Sequence, residues 1–487
     1  MEDLLEQGNR LYQAGRHPEA EAIYRALLES VPEHASALGN LGAAVADQGR
    51  HEEAIVLYQQ AIALDPALYP PWHNLGNSLR LLARWDEAEA TARSLLARFP
   101  EAAEGHVNLG IALFHQRRLE EAEAAYRRAI QLDPNSLRGW SNLGLALAEQ
   151  GRLDEALVCH DRAVQRAPDD PDAHRNRSLA MLLMGDLARG FPEYEWRWSC
   201  ADFQPLKVSQ PLWRGETLPE STLLVYTEQG LGDVLQFVRF APWAKRRVRE
   251  VLLVARDSLL PLLGRCSGVD RLMPMGSFVA GFDTHVPLLS LPAALGTSLA
   301  SVPASVPYLF ADAGRTAHWA DELAAIDGLR VGVAWWADPK GYRGAERSIP
   351  LEAFGPLAKV PGVRLVSLQK GPGAEQAESV GPSLNLIDWG PRLDLDGASF
   401  EDTAAVMRGL DLVVTCDTAI AHLAGGLGVN VWVALPKVPD WRWLLHRNDS
   451  PWYPTMRLYR QVEAGDWGAP FAAMARDLRD LANTRGR

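Results

Sequence analysis

Trp140-Ser141-Asn142-Leu143-Gly144, followed by Ala156 and Pro168, is the stretch from which the fold of this chain is read. Leu143-Gly144 closes a series begun by Leu41-Gly42, Leu75-Gly76 and Leu109-Gly110, each pair 34 residues from the next. Ala20, Ala54, Ala88, Ala122 and Ala156 keep the same interval, as do Pro32, Pro66, Pro100, Pro134 and Pro168. Trp72 and Trp140 set a bulky side chain ahead of two of the Leu-Gly pairs. Chance does not hold five prolines in step. A fixed period of this length is that of a helix pair that cannot bury its apolar face alone and so stacks on its neighbour.

The spacing and its landmarks resemble the tetratricopeptide repeat. Five repeats fill residues 1 to about 170, and a sixth begins near Pro171, with His174 at the Trp position and Gly185 at the helix-turn glycine. The pattern then departs at Phe191-Pro192-Glu193-Tyr194-Glu195-Trp196-Arg197-Trp198, where aromatics replace small residues. Terminal repeats cap a solenoid and are atypical. These aromatics read as the surface that docks the last helix on the next domain. Such repeats bind and seldom catalyse, so chemistry is expected downstream.

The bulk properties set limits. A chain of 487 residues needs two or three cores. Its 47% apolar and 23% charged residues are those of a globular protein. A net charge of −12 argues against a nucleic-acid partner, whose phosphates demand clustered Lys and Arg, but leaves room for one local basic pocket. Cys159, Cys200, Cys266 and Cys416 lie far apart and read as buried or free thiols of a reducing compartment. The N-terminus runs straight into the first repeat without a secretory pattern, and no apolar run is long enough to span a bilayer. A cytoplasmic location is the expectation.

Cys200 to Pro219 carries prolines and little periodicity, and reads as a linker. Short apolar strands then alternate with helical segments. Leu223–Tyr226 precedes a helical pattern from Asp233 to about Val248, and Val251–Val254 precedes a helix near Ser258 to Cys266. After a Pro-, Ala- and Ser-rich stretch (Leu291 to Pro307), strands are expected at Arg330–Trp335, Val363–Leu368, Leu410–Thr415 and Val429–Ala434. The pattern predicts an α solenoid followed by two doubly wound α/β domains facing a cleft. The expected boundaries are 1–198 for the solenoid with its capping helix, 199–220 for the linker, and 221–325 and 326–487 for the two α/β domains. Ligands would lie at the carboxyl ends of the strands.

Four candidate sites fall at strand ends. Glu228-Gln229-Gly230-Leu231-Gly232-Asp233 joins a strand to a helix; its glycines admit close backbone approach, and Asp233 is either a helix N-cap or a general base. Asp417-Thr418-Ala419-Ile420-Ala421-His422 repeats the arrangement with donors suited to phosphate, or else Asp417 caps the helix and His422 is a core side chain. Lys340, Arg343, Arg347 and Ser348, with Gly341 and Gly344, form a basic loop that either closes on an anion or stays a solvated surface. Gln369-Lys370-Gly371-Pro372-Gly373 ends a further strand. Two aromatic runs, Pro439–Trp443 and Ser450–Pro454, read as covers for apolar surface before they read as stacking platforms.

Taken in order, Trp213-Arg214-Gly215, Glu228–Asp233 with Gln236-Phe237 and Arg239-Phe240, Arg347–Leu351, Ser367–Gly371, Asp417–Gly425 and Pro439–Leu445 resemble a known arrangement. It is that of bacterial fusions of tetratricopeptide repeats with a GT-B glycosyltransferase. The catalytic half is similar to the heptosyltransferase family and, in architecture only, to the O-linked N-acetylglucosamine transferases. The resemblance implies that Asp233 is the base that deprotonates the acceptor hydroxyl, with Gly230, Gly232 and Gln236 in the adjoining loop. It implies that Asp417, Thr418 and Ala419 hold the donor's sugar and phosphates, with His422 nearby. Arg347 stands where the family has a phosphate-binding Lys, Glu375 where it has a ribose-contacting Glu, and Lys370 joins the donor side.

Some proteins of this architecture glycosylate flagellin with activated nonulosonic sugars. The expected activity is therefore inverting, metal-independent and cofactor-free transfer from a nucleotide-sugar, possible donors including a CMP-nonulosonic acid. The acceptor is Ser or Thr of a protein held by the repeats. The rivals are a lipid-linked or polysaccharide acceptor, and a scaffold carrying a degenerate transferase domain.

Overall fold

The computed structural model describes residues 2–339 and 343–485. The chain divides into two compact units, with the boundary between Arg177 and Ser178. That division falls ahead of residue 198, so the last helix and the aromatic segment belong with the α/β part.

In the first unit, helices follow one another with short turns: α1 (Glu2–Gln13), α2 (His17–Ser30), α3 (Ala35–Ala46), α4 (His51–Leu64), α5 (Tyr69–Leu81), α6 (Trp85–Arg98), α7 (Ala103–His115), α8 (Leu119–Leu132), α9 (Leu137–Glu149) and α10 (Leu153–Arg166). α11 (Pro171–Met184) straddles the boundary. The landmarks of the sequence now have physical causes. The ring at the Trp position donates to the carbonyl of the repeat proline six residues earlier: Trp72 to Pro66 (3.1 Å) and Trp140 to Pro134 (3.0 Å). His106 and His174 reach Pro100 and Pro168 from Nε2 at 3.1 and 2.7 Å, so in that role they carry the proton on Nε2. At Gly42, Gly110 and Gly144 a ring of the next helix lies on the Leu-Gly glycine. A Cβ on Gly42 would come within 2.7 Å of Tyr58, and on Gly110 within 2.5 Å of Tyr126.

A column the sequence reading passed over is Arg50, Arg84, Arg118 and Arg152, which starts α4, α6, α8 and α10. Each pairs with the Glu three residues on (Glu53, Glu87, Glu121, Glu155) and with a Glu of the preceding repeat (Glu21, Glu52, Glu89, Glu123).

The second unit continues α11 into α12 (Leu187–Tyr194) and a tight 3-10 turn over Glu195–Ser199. β1 (Leu218–Tyr226), β2 (Val248–Ala255), β3 (Arg271–Pro274) and β4 (Thr284–Pro287) form an all-parallel sheet in the order β3-β2-β1-β4. β5 (Leu329–Ala334), β6 (Val363–Ser367), β7 (Ile387–Asp388), β8 (Leu412–Cys416), β9 (Val431–Leu435) and β10 (Met456–Arg460) form a second, in the order β10-β9-β8-β5-β6-β7, also parallel throughout. Val331, Val333, Leu365, Leu412 and Val414 of this sheet share one core with Phe471, Met474 and Leu478 of the C-terminal helix Gly468–Arg485.

In each sheet the chain winds outward from a central strand and then returns to the other side. The reversals lie between β1 and β4 and between β5 and β8. Crevices at such reversals, at the strands' carboxyl ends, are where parallel sheets take ligands.

Local details depart from expectation. The helix expected from Asp233 to Val248 is α13 (Leu231–Phe237), a 3-10 turn and a short helix Ala241–Lys245 with Pro242 in its first turn. The helix expected near Ser258 to Cys266 is a 3-10 turn over Asp257–Leu259 running into the short helix Leu260–Leu263. β3, β4, β7 and β10 were not legible: β3, β4 and β7 have only two to four residues, and β10 is broken by Arg457 and ended by Arg460.

Candidate functional site

The loops after β1 and β8 meet. α13 packs against the helix Ala419–Gly426, and Gly232 allows it: a Cβ there would lie 3.2 Å from His422 Cδ2 and 3.4 Å from Ala419 Cα. Gly230, Gly232, Asp233, Gln236, Ala419 and His422 are thereby gathered on two facing helix starts. Gly230 is the N-cap of α13, and Asp233 sits at its third position rather than capping it directly. The Gly230 N–H donates to Asp233 Oδ2 at 2.9 Å, while Asp233 Oδ1 takes Arg442 Nη2.

Arg442 ties the site together, and the sequence reading did not single it out. Its Nε donates to Gln236 Oε1 and its Nη1 to Asp440 Oδ1, both at 2.8 Å. Its guanidinium stacks over Trp441, 4.4 Å from the ring centre. Burial would drive its pKa down, but Asp440 and Asp233 outweigh that and hold it up. Its signal in the sequence is the charge pair Asp440 and Arg442 inside the aromatic run Pro439–Trp443. Those rings do cover apolar surface: Trp441, Trp452, Phe237 and Phe191 of α12 pack with centroids 5.7 to 6.5 Å apart.

On the other side Asp417 is buried, 3% exposed. Arg347 Nη1 donates to its backbone oxygen at 3.1 Å and lies 3.9 Å from Oδ2. Burial, with the Asp440 charge adding to it, pushes the Asp417 carboxyl upward against Arg347. Thr418 is the N-cap of Ala419–Gly426, yet its hydroxyl makes no capping bond. His422 is held as a core side chain would be: Nδ1 lies 2.9 Å from the Tyr453 hydroxyl, and the ring stacks on Trp443 at 5.2 Å. Burial and nearby arginines push its pKa far down, so it is neutral.

Buried polar atoms without a protein partner gather here. Thr418 Oγ1, Arg347 Nε and Gln236 Nε2 are sealed from solvent with no hydrogen bond, and Asp417 Oδ2 has only the Trp443 ring N–H and the Arg347 guanidinium near it. Each such atom costs about 1–3 kcal/mol unless something polar meets it. The mix of donors, a helix start and two arginines suits an anionic, hydroxyl-rich ligand. Among the described residues no group of three or more His, Cys, Asp or Glu is arranged around a metal position.

Lys370 and Glu375 are not brought to this cluster. They follow β6, which lies beyond β5 from β8. Lys370 Nζ donates to the Leu393 and Asp394 carbonyls, and Glu375 is exposed. In the basic loop, Lys340 and Gly341 lie outside the described residues. Arg343 pairs with Glu346, and Ser348 Oγ donates to Gly344 O at 2.8 Å. Gly344 is there for contact rather than freedom, since a Cβ would reach 2.0 Å from Asp338 O.

Residues 5–68, 73–136 and 113–180 match profiles described as tetratricopeptide repeat. The N-terminal region is a tetratricopeptide-repeat array. The chain is 27% identical over 324 residues to Protein FlbA of Caulobacter vibrioides, an alignment covering 62% of this chain and 54% of FlbA. The chain thus spans about half the length of that relative. Solved structures with the same helical repeats include TTC0263, a thermophilic repeat protein of Thermus thermophilus, at 23% identity, 37% of this chain, 98% of that one and a TM-score of 0.32. A tetratricopeptide repeat protein of Parabacteroides merdae shares 21% identity over 41% of this chain and 78% of its own, with a TM-score of 0.37. Among the described residues, no helix is long and apolar enough to cross a membrane.

Proposed function

We propose that residues downstream of the repeats form a GT-B glycosyltransferase, with α/β domains built on β1–β4 and on β5–β10. β1 begins at Leu218, so the linker expected at 199–220 ends ahead of that strand and the first domain starts earlier than 221. The enzyme moves a sugar from a nucleotide-sugar to Ser or Thr of a protein acceptor that the repeats recruit in the cytoplasm. The observation that supports this most is the set of unpaired buried polar atoms where two helix starts face each other. Asp233 accepts the acceptor's hydroxyl proton; Arg442 and the Gly230 N–H fix its orientation and leave a lone pair on each oxygen. The freed oxygen bonds to the anomeric carbon as that carbon's bond to the phosphate oxygen breaks, inverting the centre. Arg347 and the N–H groups at Thr418 and Ala419 take up the charge on the departing nucleotide, and Asp417 accepts hydroxyls of the sugar. A nonulosonic donor and a flagellin acceptor rest on the family resemblance.

The test is a melting-temperature screen of the full chain with CMP, UDP, GDP and ADP at millimolar concentration. One nucleotide should raise the melting temperature, and Arg347→Ala should remove the rise. No shift with any of the four sinks the donor assignment. Incubation of the matching nucleotide-sugar with flagellin, read by mass, then tests the acceptor.

A further inference from the structure

We propose that Arg197 and Tyr194, in the segment that ends the helical repeats, are positioning residues for the loop carrying Asp233; this rests on the catalytic reading of Asp233 above. Arg197 is 0% exposed. Its guanidinium lies between the rings of Tyr194 and Trp198, 4.7 and 4.6 Å from their centres. It donates to Glu195 Oε1 (2.6 Å), Ser290 Oγ (2.8 Å), Tyr194 O (3.3 Å) and Glu228 Oε1 (3.3 Å). Ser290 Oγ donates in turn to Glu195 Oε2 at 2.8 Å, and the Leu289 N–H donates to Glu228 Oε1 at 3.2 Å. One residue on, Gln229 Nε2 donates to the Tyr194 hydroxyl at 3.2 Å.

Glu228 and Gln229 thus lie just where the chain leaves β1, and both are held from the capping segment. The next residues are the N-cap Gly230 and then Asp233. Asp233 and Gln236 are held on their far side by Arg442, and the near side, where the chain leaves β1, is held by two side chains of the capping segment. A buried arginine feeding four acceptors is a costly arrangement to retain merely for packing, since apolar residues of like volume serve as well. Burial also pushes the Glu228 carboxyl up to about 7 against the pull of Arg197, so the pair holds a charge where one is unfavourable.

The test uses the full chain with Tyr194→Phe, Arg197→Lys and Arg197→Met. Hydrogen exchange is followed in peptides covering 227–237 and 411–426. Arg197→Met should speed exchange in 227–237 at least tenfold and Tyr194→Phe several-fold, with Arg197→Lys between them and 411–426 unchanged. Turnover, with the donor whose nucleotide passes the screen above, should show kcat falling tenfold or more in Arg197→Met while the donor KM stays within twofold. Unchanged exchange in 227–237 overturns the proposal, and so does faster exchange without loss of kcat. Should Arg197→Met fail to fold, Tyr194→Phe decides alone. Exchange needs no substrate, so failure of the transferase reading shows separately, as a screen with no responding nucleotide.

Discussion

Two residues show how far a local reading carries. Asp233 looks replaceable by Asn if it only caps a helix. In the structure its second oxygen faces Arg442, and an amide turned to accept from Gly230 would present its NH2 to that guanidinium. Asp233→Asn should therefore lower stability by about 1–3 kcal/mol as well as activity. A double-mutant cycle with Arg442→Met, measured by denaturant unfolding, should return a coupling of at least about 1 kcal/mol. His160 occupies the place of Tyr24, Tyr58 and Tyr126, sealed against Gly144 with neither ring nitrogen bonded. Burial, helped slightly by Arg177, pushes its pKa down to about 4. The unfolded chain binds a proton near pH 6.5 and the folded one does not, so stability falls as pH drops through that window. The loss between pH 7 and 5 should be about 2 kcal/mol. His160→Tyr should reduce the slope in urea unfolding of the helical signal, leaving the smaller part due to His73, His106 and His115, which burial also pushes down.

At the scale of the helix pair, the column facing the position of the Leu-Gly glycine is filled by a ring at Tyr24, Tyr58, Tyr126 and His160 and by a methyl at Ala92. Where a tyrosine ring faces the Leu-Gly glycine, no Cβ fits; where Ala92 stands in the tyrosine's place, Gly76 has only Asn108 Nδ2 nearby, at 3.5 Å. Gly42→Ala should cost about 1–3 kcal/mol through overpacking, whereas Gly76→Ala should gain about 0.5–1 kcal/mol from helix propensity alone. Both are read as shifts in the urea midpoint. The turn between paired helices gives the matching case. Gly15, Gly49, Gly151 and Gly185 adopt positive φ there, and Ala83 and Arg117 are forced into it at 56° and 64°. Ala83→Gly should stabilise the array by about 1 kcal/mol, read as a rise in thermal midpoint.

For the whole molecule, the division between Arg177 and Ser178 separates two tasks in the proposed function. A chain beginning at Pro171, which keeps α11 entire, should retain the nucleotide-induced rise in melting temperature and lose modification of the protein acceptor. Equal modification by the shortened chain would remove recruitment from the repeats. The repeats were legible because their causes are local and recur: a ring six residues from a proline carbonyl, a glycine under a tyrosine, a turn that wants positive φ. The strands β1, β2, β5, β6, β8 and β9 were legible because buried parallel strands are largely apolar runs. β7 and the short edge strands were not, since pairing with a neighbour, and not their own composition, makes them strands.

The sequence by itself determined a repeat array followed by parallel α/β layers, and it marked Asp233, Arg347, Asp417, Thr418, Ala419 and His422 as strand-end residues of suitable chemistry. Only the tertiary structure decided which of these meet. It joined the loops after β1 and β8, left Lys370 and Glu375 beyond β5, and brought Arg442 across more than two hundred residues onto Asp233. The reason is physical. Local patterns fix which face of an element is apolar, while a charged side chain's partner is set by the order in which strands lie side by side, which no short stretch encodes.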